Sequence, residues 1–270
     1  MIRKITSLFL LAATFIACSK NPITGRNQAR LVSESELQSM ASQQYQQFLS
    51  ENRVVSASAD RDAEMVRRVG QRVANAVTKF YQEKGQGAAL EGYKWEFNLV
   101  QNNEANAWCM PGGKVVVYTG LLPITQNEAA LAMVMGHEIA HATLQHGNER
   151  MSQGLLQQLG GVALSVAVSN QPAATQNLFL NAYGVGSQVG VLLPFSRKQE
   201  LESDRFGMIW GAMAGYNPNE AVSLWQRMEK ASNGQAPPEF LSTHPAPGNR
   251  ISQLQKYLPE ALKYYKPMGR

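Results

Sequence analysis

Apolar positions recur at helical spacing early in the chain. Leu37, Met40, Ala41, Tyr45 and Phe48 line one face of a helix that opens with the capping pattern Ser33-Glu34-Ser35-Glu36 and runs to about Ser50. Val66, Val69, Val73, Val77 and Phe80 predict a second helix from Asp60 to Tyr81. From Glu91 to Val100 the pattern alternates, with Tyr93, Trp95, Phe97 and Leu99 set against Lys94, Glu96 and Asn98, as in a half-buried strand. Pro111-Gly112-Gly113 reads as a turn, and Val115 to Tyr118 as the strand after it. Thr125 and Glu128 form a second capping pattern, opening a helix from Ala129 to about His146 that is apolar on most sides and must be buried. Arg197 to Ala214 is helical. Asn217-Pro218-Asn219-Glu220 starts another helix reaching Ala231, and Ile251, Leu254 and Leu258 mark a last one. These elements predict an α+β fold, mainly α, with a small sheet beside the apolar helix.

The two ends of the pattern carry less core. Arg3 and Lys4 precede an apolar run, Ile5 to Ala17, too short for a bilayer about 30 Å thick, so residues 1–17 read as a signal peptide. Phe15-Ile16-Ala17-Cys18 resembles a bacterial lipobox. It implies acylation of Cys18, a membrane anchor through that lipid, and a polar tether over residues 18–32 before a domain at 33–266. Ser19, not an acidic residue, then points to the outer membrane of a two-membrane bacterium, facing the periplasm. Residues 152–196 are the least legible; they read as core helix plus loops, or as a mobile or membrane-facing flap over a site.

Composition narrows the chemistry. A chain of 270 residues with 44% hydrophobic and 17% charged residues can bury its own core. The formal charge of +5 includes Arg3 and Lys4 of the leader, and the remaining basic residues are scattered, which argues against nucleic acid as a partner. Two cysteines cannot build a four-thiolate zinc site, and Cys109 reads as a small buried hydrophobe.

The decisive stretch is His137-Glu138-Ile139-Ala140-His141. Residues four apart share a helix face, so both imidazoles can grip one Zn²⁺, with Glu138 beside them free to handle a water. A catalytic zinc takes a third protein ligand and leaves one position open. Glu200 is the expected third ligand. Asp204, four residues on, is expected to accept a hydrogen bond from a zinc-bound histidine. Glu202 points away, toward solvent or an arginine, and His146 lies off the ligand face.

Together with Asn106-Ala107, Pro111-Gly112-Gly113, Thr119-Gly120-Leu121-Leu122 and Ser242-Thr243-His244-Pro245 followed by Arg250, these residues resemble metallopeptidase family 48, and within it the soluble periplasmic lipoprotein branch. The resemblance implies a zincin-like fold and a zinc endopeptidase with one Zn²⁺ per chain and Glu138 as general base. Its substrates would be unfolded or misassembled envelope proteins, met near the outer-membrane assembly machinery. His244 or Arg250 would donate to the oxyanion; His244 could instead occupy the open metal position as a latch, or merely cap a turn. By analogy with zincins, an extended substrate would pair with the strand carrying Val115, Val116 and Val117, near Asn106 and Ala107. A chaperone or scaffold role with latent proteolysis is the alternative.

Overall fold

The computed structural model describes residues 18–159, 173–185, 196–232, 239–244 and 248–267. Strands β1 (Cys18–Lys20) and β2 (Asn27–Ala29) form a hairpin, followed by helix α1 (Glu34–Glu51). Strand β3 (Val54–Val55) precedes helix α2 (Arg61–Glu83), and strands β4 (Glu96–Val100), β5 (Ala107–Met110) and β6 (Lys114–Tyr118) complete a second sheet. The helices α3 (Leu122–Thr125), α4 (Glu128–Thr143), α5 (His146–Leu159), α6 (Ala173–Ala182), α7 (Arg197–Met213), α8 (Glu220–Ser232), α9 (Glu239–Thr243) and α10 (Arg250–Leu262) follow. The mainly helical α+β expectation holds.

The larger sheet runs β3-β4-β6-β5, with β4 and β6 parallel and the other pairs antiparallel. Alternation along its strands feeds two cores. Phe97, Leu99, Ala107, Cys109, Val115 and Val117 face α2, α4 and α7, while Trp108, Met110, Val116 and Tyr118 face α1, α5 and α6. Covering both faces explains why β5 and β6 are buried along their whole length. Gly112 (φ 76°) and Gly113 (φ 82°) make the expected turn, in a conformation that disfavours a side chain.

Local capping follows the sequence in part. Ser33 and Glu36 close their capping box on α1, and Asp60 caps α2. The second box does not form. Thr125 ends α3, its hydroxyl bonding Leu122 O, and Gln126 turns the chain at φ 64°. Asn127 then caps α4 by accepting from the Ala130 amide at 2.8 Å. Likewise α8 begins at Glu220 rather than Pro218, because Asn217 accepts from the Asn219 amide in a local turn.

The helix expected to reach His146 stops at Thr143. Gln145 adopts φ 60°, and His146 begins α5. At this break the segment expected as a tether is docked. Asn21 and Gln28 each donate a side-chain hydrogen bond to Leu144 O at 2.9 Å, and both are buried. A helix end leaves carbonyls without partners, and these amides satisfy one. Ser152 Oγ accepts from the Leu31 amide, and Asn148 donates to Val32 O. Among the described residues no helix is long and apolar enough to cross a membrane. The flap reading of 152–196 falls largely on residues 160–172 and 186–195, outside the described ones.

Candidate metal centre

Helices α4 and α7 cross at two glycines. A Cβ at Gly136 would lie 2.8 Å from Gly207 O, and one at Gly207 would lie 2.7 Å from the His137 amide nitrogen. Only bare backbones approach this closely. The crossing sets the first turns of α7 over the last turns of α4, which brings Glu200 and Asp204 to the two imidazoles.

His137 Nε2 and His141 Nε2 stand 3.0 Å apart. Glu200 reaches both, Oε2 at 3.5 Å from His137 Nε2 and Oε1 at 3.3 Å from His141 Nε2. His244, at the end of α9, brings Nδ1 to 3.1 Å from Glu200 Oε1 and 3.3 Å from His137 Nε2. One donor atom from each of these four residues lies within 4.8 Å of the others, and all four side chains are buried. Three imidazoles and a carboxylate around one point are the nitrogen and oxygen donors zinc takes. Glu138 Oε1, buried and without a hydrogen-bond partner among the described residues, lies 3.5 Å from His244 Nε2. The residues present fit a zinc ion.

Their electrostatics favour a cation. Burial opposes ionisation of Glu200, yet His244 and Arg250 hold it well below the usual carboxylate range. Burial also opposes ionisation of Asp204, which Arg250 and His137 hold below its ordinary value. Burial pushes His141 well down, keeping the imidazole neutral as ligation requires. At His137 burial acts in the same sense, but hydrogen bonds to Asp204 and Glu200 outweigh it and lift the ring to about 9. Burial raises Glu138, against the pull of His244 and His137.

Asp204 Oδ1 lies 2.9 Å from His137 Nδ1, which leaves Nε2 turned toward the cluster. Arg250 departs from expectation. Its Nε and Nη2 donate to both oxygens of Asp204 at 2.8 and 2.7 Å, Nη1 lies 3.0 Å from Glu200 Oε2, and the group stacks 3.4 Å from the Trp225 ring centroid. A buried guanidinium committed to two carboxylates holds ligands in place and is not directed at an oxyanion.

The substrate strand also needs correction. Strand β6 lies between β4 and β5, so its hydrogen-bonding edges are taken, and Val115, Val116 and Val117 are buried. The outer strand on this side is β5, which Ala107 begins. Asn106 is buried with its side-chain oxygen accepting from the Ala107 amide and its carbonyl from the Tyr118 amide, so it shapes the turn into the sheet. The Phe240 amide bonds Ala105 O, tying α9 to the start of this strand.

Three residues the spacing did not reveal also belong here. His146 Nδ1 is 3.1 Å from His141 Nδ1, His146 Nε2 is 2.9 Å from Glu202 Oε2, and Arg26 binds Glu202 at 2.8 Å. Glu202 does meet an arginine, as one of its two expected environments, but inside the site's surroundings.

Comparison with known proteins gives the geometry a family. Residues 60–258 match peptidase family M48. The chain is 35% identical to mitochondrial metalloendopeptidase OMA1 of Saccharomyces cerevisiae over 184 residues, covering 66% of this chain and 51% of that protein. It is 30% identical to the mitochondrial metalloendopeptidase OMA1 of Bos taurus over 264 residues, 95% of this chain and 49% of the relative. It is 33% identical to the beta-barrel assembly-enhancing protease of Yersinia pestis over 165 residues, 60% of this chain and 34% of the relative. The chain thus spans about half or less of the length of these relatives. The expected location on a bacterial outer membrane facing the periplasm does not hold against them, since the OMA1 relatives are mitochondrial by name. A charged, apolar leader is common to several kinds of targeting segment and does not by itself select a compartment. With its match running from residue 60 to residue 258, this chain belongs to peptidase family M48.

Proposed function

We propose that the chain is a zinc metalloendopeptidase. The observation that carries this reading is the buried cluster of His137, His141, Glu200 and His244, with Glu138 Oε1 beside it and without a hydrogen-bond partner among the described residues. Bound zinc supplies a Lewis acid that polarises the scissile carbonyl and acidifies water. His137, His141 and Glu200 would hold it. Glu138 accepts a proton from the attacking water and delivers it to the leaving nitrogen; its raised carboxyl pKa suits a group that must both take and give a proton. Asp204 and Arg250 orient His137 and Glu200. Pairing of an extended segment along β5 accounts for substrate binding through backbone groups in this reading.

The substrate class we infer is protein that has failed to fold or assemble. Support comes from relatives named beta-barrel assembly-enhancing protease in Yersinia pestis and, as a putative member, in Vibrio cholerae. Acylation of Cys18 after removal of residues 1–17 remains part of the reading, and an intact-mass measurement checks it. A second reading, latent proteolysis released on demand, is favoured by His244, which stands within the ligand cluster and closes the position a substrate needs.

Glu138→Gln tests the main reading. The variant keeps one zinc per chain and loses cleavage of unfolded casein by about two to four orders of magnitude. Retained cleavage removes Glu138 from the chemistry, and a native chain without zinc removes the whole reading.

A further inference from the structure

We propose that His146, Glu202 and Arg26 form a hydrogen-bonded relay that orients the metal ligand His141, so that the N-terminal hairpin is a working part of the zinc site. The inference rests on the zinc reading above and concerns how the chain holds one of its ligands.

His137 has its orienting carboxylate directly, in Asp204. His141 has an imidazole instead. A carboxylate without a proton can only accept, so His146 Nε2 must donate to Glu202 Oε2 across 2.9 Å. That leaves His146 Nδ1 with its lone pair, as an acceptor 3.1 Å from His141 Nδ1. His141 Nδ1 then carries the proton, and its Nε2 lone pair faces His137 Nε2 and Glu200 Oε1, where a metal would sit. Ser203 Oγ, 3.3 Å from His146 Nδ1, can donate to the same lone pair. One chain of donors and acceptors therefore selects a single tautomer at His141.

The far end of the relay is held by the hairpin. Arg26 Nε donates to both oxygens of Glu202 at 2.8 and 3.1 Å, while its Nη1 and Nη2 donate to the two oxygens of Glu149 at 2.7 Å each. Gln199 Nε2 also donates to Glu149, at 2.8 Å. One guanidinium thus fixes a carboxylate from α7 against one from α5, and these flank His146, which is wholly buried. The hairpin's hold on Leu144 O fixes the chain break that turns His146 toward His141. A loosely attached tether would need none of these bonds.

Three variants of the full chain test the relay, read by zinc affinity in competition with a chromogenic chelator and by the visible spectrum of the cobalt-loaded protein. His146→Leu is expected to weaken zinc binding by about 10- to 100-fold and to alter the cobalt bands, as loss of a ligand's orienting partner does. His146→Gln is expected to recover most of the affinity, because its amide oxygen accepts from His141 while its nitrogen donates to Glu202. Arg26→Met, at a partly exposed position, is expected to weaken binding by roughly three- to tenfold, a smaller share of the same effect. Native affinity and an unchanged cobalt spectrum in Arg26→Met, or in a folded His146→Leu, overturn the relay while leaving the zinc site intact. Failure of the Gln variant to improve on the Leu variant overturns it as well. A native chain that binds no zinc overturns the parent reading and this one together.

Discussion

The Nδ1 of His244 lies 3.1 Å from Glu200 Oε1, within the ligand cluster and not beside it. Its other nitrogen faces Glu138 Oε1 at 3.5 Å. An imidazole in that position competes for the site that a scissile carbonyl must reach. His244→Ala is therefore expected to keep one zinc and to cleave unfolded casein about tenfold faster, the effect of removing a competing contact worth roughly 1–2 kcal/mol. Metal analysis with initial rates checks this. Slower cleavage with zinc retained would assign His244 to the transition state instead.

Arg250 faces two buried carboxylates, Asp204 and Glu200. Arg250→Met leaves both without their guanidinium and is expected to destabilise the metal-free chain by about 3–5 kcal/mol at neutral pH. The sign with pH follows from linkage. In the native chain Asp204 is held below its ordinary value of 3.8, so its contribution is present above that value and is lost as pH falls through the lower folded value. In the variant the buried carboxyls bind protons more readily, and acid relieves the penalty. Urea unfolding at pH 7 and pH 4 should show the gap between the two chains narrowing with acidification. A gap of equal size at both pH values would show that Arg250 acts through packing on Trp225 alone.

Gly207 allows α7 to rest on α4 beside His137. Gly207→Ala places a methyl 2.7 Å from the His137 amide nitrogen, where neither backbone can yield without moving a ligand-bearing helix. We expect a loss of about 1–3 kcal/mol in stability together with weaker zinc binding. Ala in place of Gly in an exposed helix normally stabilises by up to about 1 kcal/mol, so the sign alone discriminates. Calorimetry and chelator competition on the same variant provide both readings.

The parts of this site that were legible in sequence are those whose geometry is local. The spacing of His137 and His141, and of Glu200 and Asp204, is set by one helical turn, and Ser33 with Glu36 or Asp60 alone suffices to start a helix. What escaped depends on contacts between distant segments. His146 would sit off the ligand face had α4 continued; a left-handed residue at Gln145 redirects it, and nothing in a glutamine's side chain announces that conformation. Strand order is equally silent, so the apolar run at Val115–Tyr118, read as the strand that would pair with a substrate, proved interior with both edges taken. Arg26 and Glu202 are 176 positions apart, and Arg26 reads as an ordinary tether residue until the hairpin docks.

Removal of the metal should expose how much of the fold depends on it. Glu200 and Asp204 are buried as anions with a single guanidinium between them, and Glu138 lies a few ångströms away. A divalent cation binds this donor set in the folded state only, displacing the proton that His137 otherwise holds, so its binding free energy adds to folding stability. Free zinc at a thousandfold excess over its Kd corresponds to about 4 kcal/mol. Chelation by EDTA is therefore expected to lower the unfolding midpoint by several degrees, and zinc, added back, to restore it. Glu200→Gln separates this from a general effect of chelator. The variant loses one ligand charge, so its zinc-loaded form gains less from the ion. The shift on chelation should shrink to a fraction of the native one. An equal shift in both chains would mean that EDTA acts elsewhere and that Glu200 does not hold the ion.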